Sequence, residues 1–401
     1  MSGDIGSELF GPSPGDAVFD QMVDVRRAVH RRPELAFDEV ATTQLIREHM
    51  AALGAEEVLR VTETGGIFAM DGGRPGHTVV LRGDIDALPV QEPPTRGGVS
   101  EVKGVMHACG HDVHVGSVLG AASALASRRE ELPGRYLFLF QPGEEALCGG
   151  KAMIEGGALT VMEGARLVGF HVTSVIPTGM VALRAGITMS EAHSLRMTLR
   201  GPGGHGAVPT ATGDVIRATA ALVSRLGSVV EGLSYEGTDC VCSAGTLHAG
   251  TAVNVVPTSA VVTGTLRTFT DVQRVDAVGR LETLCAEIAT ELGVSVDLEL
   301  PEHTPAVVND VAMVDLVEEE AKAVLGDASV FRMPPASPSD DVSEFLNHLP
   351  GCYFFVGGAA ADGSSGMHHS PSFFVEDESL RVGASVLVRG ALALAAPGLP
   401  G

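Results

Sequence analysis

Apolar residues at Val18, Met22, Val25 and Val29 recur every three or four positions, which predicts a helix over Ala17–Arg31. A second helix is predicted over Thr42–Leu53 and stops at Gly54. The stretch HTVVLRGDIDALPV holds a short continuous apolar run, Thr78–Arg82, which reads as a buried strand ending in acidic residues. RYLFLFQP and LVGFHV read as two further buried strands, the second with His171 at its end. Between the first two strands lies Val115–Ser127, a helix of small residues. Strands alternating with helices predict a largely parallel sheet.

The pattern changes near residue 188. HSLRMTLRGPGG reads as a strand and DVIRATAALVSRLGSVVEGL as a helix. Two strands follow, Val241–Leu247 and Ala260–Phe269, then a helix over Val272–Leu292 and a strand over Val294–Leu300. This β-α-β-β-α-β order is that of a ferredoxin-like module. After Pro301 the α/β pattern returns, with a helix over Met313–Leu325, the strand CYFFVG and a closing helix over Glu378–Ala396. The fold class expected is therefore α/β, with a mixed, largely parallel sheet in a catalytic domain formed by residues 17–187 and 302–401. A ferredoxin-like α+β domain, residues 188–301, is inserted between the two parts. Residues 1–16 carry no such pattern and read as disordered or loosely attached.

The length of 401 residues suits two or three domains, and 45% apolar content suffices for a large core. A net charge of −23 argues against nucleic acid or an anionic membrane as partner, and three Tyr with no Trp leave no stacking surface for bases. No apolar run is long enough to span a bilayer, and the N-terminal residues do not resemble a signal peptide. Six scattered cysteines then suggest reduced thiols in the cytoplasm, with Cys240 and Cys242 packing on a strand face.

The chemistry concentrates at the ends of the predicted elements, where open α/β sheets place their active sites. Asp84 and Asp86 follow the first buried strand, Glu144 and Glu145 follow RYLFLF, and His171 follows LVGF. Cys109 and His111 lie in MHACGHDVH, a loop before a helix. Thiolate, imidazole and carboxylate together suit a borderline-soft metal such as zinc. In a pair of adjacent glutamates one can hold metal while the other takes the proton of an attacking water. These residues read as a two-metal hydrolase. His171, His368 and His369 have simpler explanations individually and gain weight only from the group. GPGGHG at 201–206 matches a dinucleotide-binding pattern, but Pro209 and turn residues stand where a helix must begin. No H-E-x-x-H occurs, which excludes zincin chemistry, and the G-x-S-x-G match GPSPG at 11–15 lies in the patternless N-terminal stretch rather than at a strand-to-helix turn, which argues against a serine esterase.

RAVHRRPELAFDEVATT, LRGDIDALPVQE, MHACGHDVH, QPGEE, GFHV, GGHGAVP, AVNVVP, GTLRTF and HHSPSFFVEDE occur in one order along residues 20–395. In these motifs the chain resembles the two-metal amidohydrolases and metallopeptidases that include aminoacylases, hippurate hydrolases and indole-acetyl-amino-acid hydrolases. The resemblance implies Cys109, His111, Glu145, His171 and His369 as metal ligands, with Cys109 bridging. It implies Glu144 as general base and then acid, and His205 as the oxyanion donor, in its own chain or across a dimer. Asn254 and Arg267 would bind substrate, and Asp86 would orient a metal-site group. Asp84 stands where related exopeptidases carry a metal-binding His. Three positions depart from the family pattern: Thr210 for His, Ala146-Leu147-Cys148 for a glycine-rich stretch, and His193 for Asp.

The expected reaction is hydrolysis of the amide bond of an N-acyl amino acid, with two divalent ions per chain. Zinc and manganese fit best, and nickel and cobalt suit the same ligands. The inserted domain would act as a lid and join a homodimer. A dipeptidase or small-peptide carboxypeptidase is the alternative within the family, and a non-catalytic metal-binding protein the alternative outside it.

Overall fold

The structure, a computed structural model, describes residues 17–61, 63–94, 99–207 and 213–398. The expectations for residues 1–16 and for Thr210 lie outside the described residues. The chain forms two compact units. Of the described residues, the larger holds those up to Gly186, Val308–Met333 and those from Asp341 onward; the smaller holds those of Ile187–Val307 with Pro334–Asp340.

In chain order the principal elements open with α1 (Ala17–Arg31), α2 (Val40–Ala52), β1 (Glu56–Leu59), β2 (Gly66–Asp71) and β3 (Arg74–Asp84). Then come α3 (His111–Ser127), β4 (Pro133–Gln141), β5 (Arg166–Pro177) and β6 (Val181–Leu183). The smaller unit contributes β7 (Glu191–Arg200), β8 (Gly204–His205), α4 (Val215–Arg225), β9 (Val241–Ala249), β10 (Val255–Val256), β11 (Ser259–Thr268), α5 (Asp271–Leu292), β12 (Ser295–Glu299) and β13 (His303–Thr304). The larger unit resumes with α6 (Val311–Leu325), β14 (Val330–Arg332), β15 (Gly351–Ala359) and α7 (Glu378–Ala395).

The larger unit is built on an eight-stranded sheet in the order β1-β2-β4-β3-β5-β15-β6-β14. Its centre, β4-β3-β5-β15, is parallel, and antiparallel pairs lie on both sides. Parallel strands covered on both faces read as unbroken apolar runs, and the side chains of Phe138, Phe140, Phe170 and Phe354 are fully buried. Each such ring contributes about 2–3 kcal/mol through burial. Helix α3 is buried on nearly every side, as expected of a helix without a polar face. Its small residues allow that packing: a Cβ on Gly120 would lie 2.0 Å from the Met22 sulfur on α1.

The charged residue Arg82 on β3 is fully buried. Its guanidinium donates to Asp84 at 2.7 Å, to Gln141 at 2.8 Å and to the Tyr353 hydroxyl at 3.1 Å. Asp341 accepts from Gln141 at 2.5 Å and from the Gly150 amide at 2.8 Å. Removing one partner from such a buried ion pair costs about 3–5 kcal/mol, so this network braces the strand ends that carry the chemistry.

The smaller unit is built on a five-stranded antiparallel sheet, four strands in the order β9-β11-β7-β12 and β13 also paired to β7. Helices α4 and α5 share its core with Leu195, Met197, Leu199, Leu266 and Ile288. This is the ferredoxin-like order expected from the sequence. Among the described residues no helix is long and apolar enough to cross a membrane.

Several boundaries differ from the sequence pattern. Helix α2 starts at Val40 rather than Thr42 because the Glu34 carboxylate accepts from the amides of Ala41 and Thr42, a favourable charge at a helix start. Helix α3 starts at His111 rather than Val115, after Gly110 turns the chain at φ 93°. His171 is therefore not matched by a strand end: β5 continues beyond it to Pro177, held in register by β15 as far as Ala359. The smaller unit runs to Val307 rather than 301 because His303 pairs with His193 across β13 and β7. Pro334–Asp340 joins it through Ser190, whose amide donates to Ala336 and Pro338.

Candidate metal and hydrolytic site

The carboxyl ends of β3 and β4, the middle of β5, the start of α3 and the loop after β15 meet at one place. Cys109 Sγ lies 3.4 Å from His171 Nε2 and 3.7 Å from His368 Nδ1. The same sulfur forms a second close group with His111 and Glu145, all donor atoms lying within 4.8 Å of one another. His111 Nε2 is 3.8 Å from Glu145 Oε1 and 3.8 Å from Glu144 Oε2. His369 Nε2 is 3.5 Å from Glu145 Oε2, and its backbone amide donates to the Ala108 carbonyl, tying this loop to the cysteine loop. One thiol thus belongs to two ligand groups.

The site's hydrogen bonds set the imidazole tautomers. His171 Nδ1 faces the Val172 carbonyl at 2.6 Å and His111 Nδ1 faces the Asp86 carbonyl at 2.9 Å. A carbonyl only accepts, so each Nδ1 carries a proton, and each ring when neutral turns its Nε2 lone pair into the site. His114 is committed elsewhere: Nδ1 bonds Asp84 and Nε2 accepts the Val172 amide at 2.9 Å. Asp84 is taken up by Arg82 and His114. Asp86 holds the glutamate pair through the backbone, its two oxygens accepting from the amides of Glu144 at 3.1 Å and Glu145 at 2.9 Å. Asp86 thereby fixes the backbone that carries both glutamates.

These residues fit a bound divalent metal. His111 Nε2 and Glu145 Oε1 are buried with no hydrogen-bond partner in the protein. Donors of one tetrahedral ion lie about 3.3–3.6 Å apart, given metal–ligand bonds of about 2.0–2.3 Å. That matches the spacings here better than hydrogen bonding does. Charge agrees. Burial, with Glu145, Glu144 and Asp84 nearby, pushes the Cys109 thiol far up. Burial, with Asp86 nearby, outweighs His111 and raises Glu145 to about 7. His111 rises to about 10 because Asp84 and Asp86 outweigh the effect of burial. Burial leads the first two shifts and the carboxylates Asp84 and Asp86 decide the third; a cation would offset both the lost solvation and the crowded carboxylates.

Behind the cysteine loop stands a brace that the sequence did not reveal. Arg26 and His30 on α1 both reach Asp112, at 3.1 Å and 3.0 Å, and His30 also reaches Glu92 at 3.2 Å. Burial alone would lower His30, but Asp112 and Glu92 outweigh it and hold the imidazolium to about 9. A folded-state value raised above the unfolded one stabilises fully below about pH 6.5 and is lost as pH rises through 9. Urea unfolding should therefore show stability falling between these limits, by up to about 3 kcal/mol. In His30→Gln that part of the slope should be missing; equal slopes in both proteins would count against the brace.

In the smaller unit, β8 pairs with β10 so that His205 stands opposite Val255, next to Asn254, whose carbonyl accepts the Gly206 amide at 2.8 Å. His205 is exposed, and its Nδ1 accepts the Ala207 amide at 3.0 Å. Its Nε2 therefore carries a proton available for donation. Half-buried Arg267 on β11 donates to Ser339 Oγ at 2.9 Å. Among the described residues GPGGHG opens no helix, the next being α4 from Val215, which counts against the dinucleotide reading. His193, where the family usually has Asp, stacks on His303 with ring centroids 4.3 Å apart. Both face Glu191, which also bonds Thr268 and lies 3.6 Å from Arg274. With two imidazoles, a hydroxyl and a guanidinium around one carboxylate, this group reads as a hydrogen-bonded cluster.

Residues 80–393 match the family described as Peptidase family M20/M25/M40. Thermostable carboxypeptidase 2 of Saccharolobus solfataricus is 34% identical over 375 residues, covering 91% of this chain and 93% of that protein. N-acetylcysteine deacetylase of Bacillus subtilis is 33% identical over 368 residues, covering 91% and 94%. Among solved structures, a dinuclear metal binding peptidase of the M20 family from Bacillus subtilis aligns with a TM-score of 0.78 and 29% identity, covering 94% of this chain and 98% of that one. A mixed α/β fold with an inserted module and a thiol–imidazole–carboxylate site defines a metal-dependent hydrolase. The chain belongs to the M20/M25/M40 peptidase family and is an amidohydrolase.

Proposed function

We propose that this protein hydrolyses N-acyl amino acids to a carboxylic acid and an amino acid, using two divalent ions, zinc or manganese. The observation that carries this is the Cys109 sulfur shared between His171 on one side and His111 with Glu145 on the other, beside Glu144. The ligands are Cys109, His111, Glu145, His171 and His369. His368 Nδ1 lies 3.7 Å from the thiol, but its Nε2 lies 3.4 Å from the Ser174 amide. Accepting there leaves its Nδ1 protonated, a donor to the thiolate rather than a ligand. Ions held by these residues would supply Lewis-acid polarisation of the amide carbonyl and would lower the pKa of water.

Glu144 takes the proton of the attacking water and later delivers it to the leaving nitrogen. His205 donates from Nε2 to the developing oxyanion, and Asn254 and Arg267 hold the substrate. The deacetylase among the relatives supports an N-acyl amino acid as substrate, and the carboxypeptidase supports a second reading, cleavage of small peptides. The exposed Leu247 on β9, which has β11 as its one partner in the sheet, supports a homodimer through the smaller unit. Six free cysteines support a cytoplasmic setting.

A mass-spectrometric screen of N-acyl amino acids and dipeptides with metal-reconstituted protein tests the proposal. Turnover confined to dipeptides would replace the first reading with the second. Arg267→Ala should raise KM about tenfold or more for free-acid substrates, the loss of a charged hydrogen bond, and less for their amides. Paired kinetics on both substrate forms checks this, and equal losses would remove Arg267 from substrate recognition.

A further inference from the structure

Three successive backbone amides at the end of β4 are held by two buried carboxylates. The Gly143 amide donates to Glu39 Oε1 at 2.9 Å, and the next two, of Glu144 and Glu145, donate to Asp86. Glu39 is wholly buried, and its Oε2 has no hydrogen-bond partner in the protein. The segment that carries it packs on the same turn: a Cβ on Gly143, which has φ 66°, would lie 2.7 Å from the Phe37 ring.

Backbone strain gathers here too. Among the described residues four that are not glycine have positive φ: Phe37, Leu147, Glu236 and His369. Three of them border the glutamate turn. Phe37 packs on Gly143, the Leu147 amide donates to the Glu144 carbonyl at 2.7 Å, and His369 faces Glu145. Such conformations cost about 1–3 kcal/mol each and persist where surrounding contacts over-determine them. A buried carboxylate with one oxygen unpartnered is a further cost.

We infer that Glu39 is a positioning residue of the hydrolytic site, acting through the Gly143 amide to fix the turn that presents Glu144. This rests on the proposed role of Glu144 as base. Asp86 fixes the two glutamate amides but does not reach the amide before them, which Glu39 holds. Glu39 anchors the turn from its opposite end. Small displacements of a catalytic group are expensive, about a hundredfold in rate for 1 Å.

The test uses the full-length, metal-loaded protein and hydrolysis of an N-acetyl amino acid. Glu39→Ala should lower kcat about 10–100-fold and leave KM and bound metal unchanged. Glu39→Gln, whose side-chain oxygen can still accept from Gly143, should recover most of the activity. Adding Glu39→Ala to Glu144→Gln should cost nothing more, because the two act as one unit. Wild-type kcat in Glu39→Ala, metal loss in step with activity, no rescue by Gln, or a further full loss in the double variant would each overturn the inference. An active Glu144→Gln would instead overturn the assignment of the base itself, so the two failures are distinguishable.

Discussion

Glu144→Gln should lower kcat on the order of a thousandfold or more while leaving metal bound. The amide is isosteric and keeps the backbone bond to Asp86, which uses the amide of residue 144 and not its side chain. Only the capacity to take a proton is lost. The neighbour Glu145, which lies 3.8 Å from His111 Nε2 and 3.5 Å from His369 Nε2, is untouched and still holds its ion. Steady-state kinetics with elemental analysis of the same preparation checks both halves. Near-normal turnover would exchange the roles of the two glutamates, and loss of metal would make Glu144 a ligand.

Cys109→Ala should have the second-largest effect. Its sulfur belongs to both ligand groups, so its removal weakens two ions at once, whereas losing His171 or His111 strips a donor from one. Bound metal should fall from about two per chain to below one. A chelator should reproduce the loss of activity in the unaltered protein, and divalent ions should restore it. Thermal stability should fall with metal, since a ligand present at about a thousand times its Kd stabilises by about 4 kcal/mol. Here it also neutralises crowded carboxylates. Two metals per chain in Cys109→Ala would remove the bridging role.

Much of this site could be read from the chain. Glu144 and Glu145 follow an apolar strand run, and Cys109 and His111 sit in a segment dense in ligand types. Strand ends of an open α/β sheet converge whatever the rest of the sequence does. The ferredoxin-like order of the inserted module was legible because its alternation of period 2 and period 3.6 is local. The supporting residues were not legible. Glu39, Arg26, His30 and Arg82 meet their partners across sequence separations of 104, 86, 82 and 259 residues, for Gly143, Asp112, Asp112 and Asp341. No local pattern marks such pairs, although RAVHRRPELAFDEV and HDVH contain several of them.

The division between His368 and His369 has the same origin. Two adjacent histidines carry equal ligand chemistry in a sequence. The backbone at His369, at φ 61°, and the bonds of His368 to Thr173 and Ser174 send the two rings to different places.

By itself the sequence determined which residues could bind metal, activate water and build each element, because those properties reside in side-chain chemistry and short-range periodicity. The tertiary structure alone decided that one thiol lies between two ligand groups, that His114 and Asp84 serve each other, and which buried carboxylates hold the glutamate turn. Those are questions of distance and desolvation, and both come into being only when remote segments pack together.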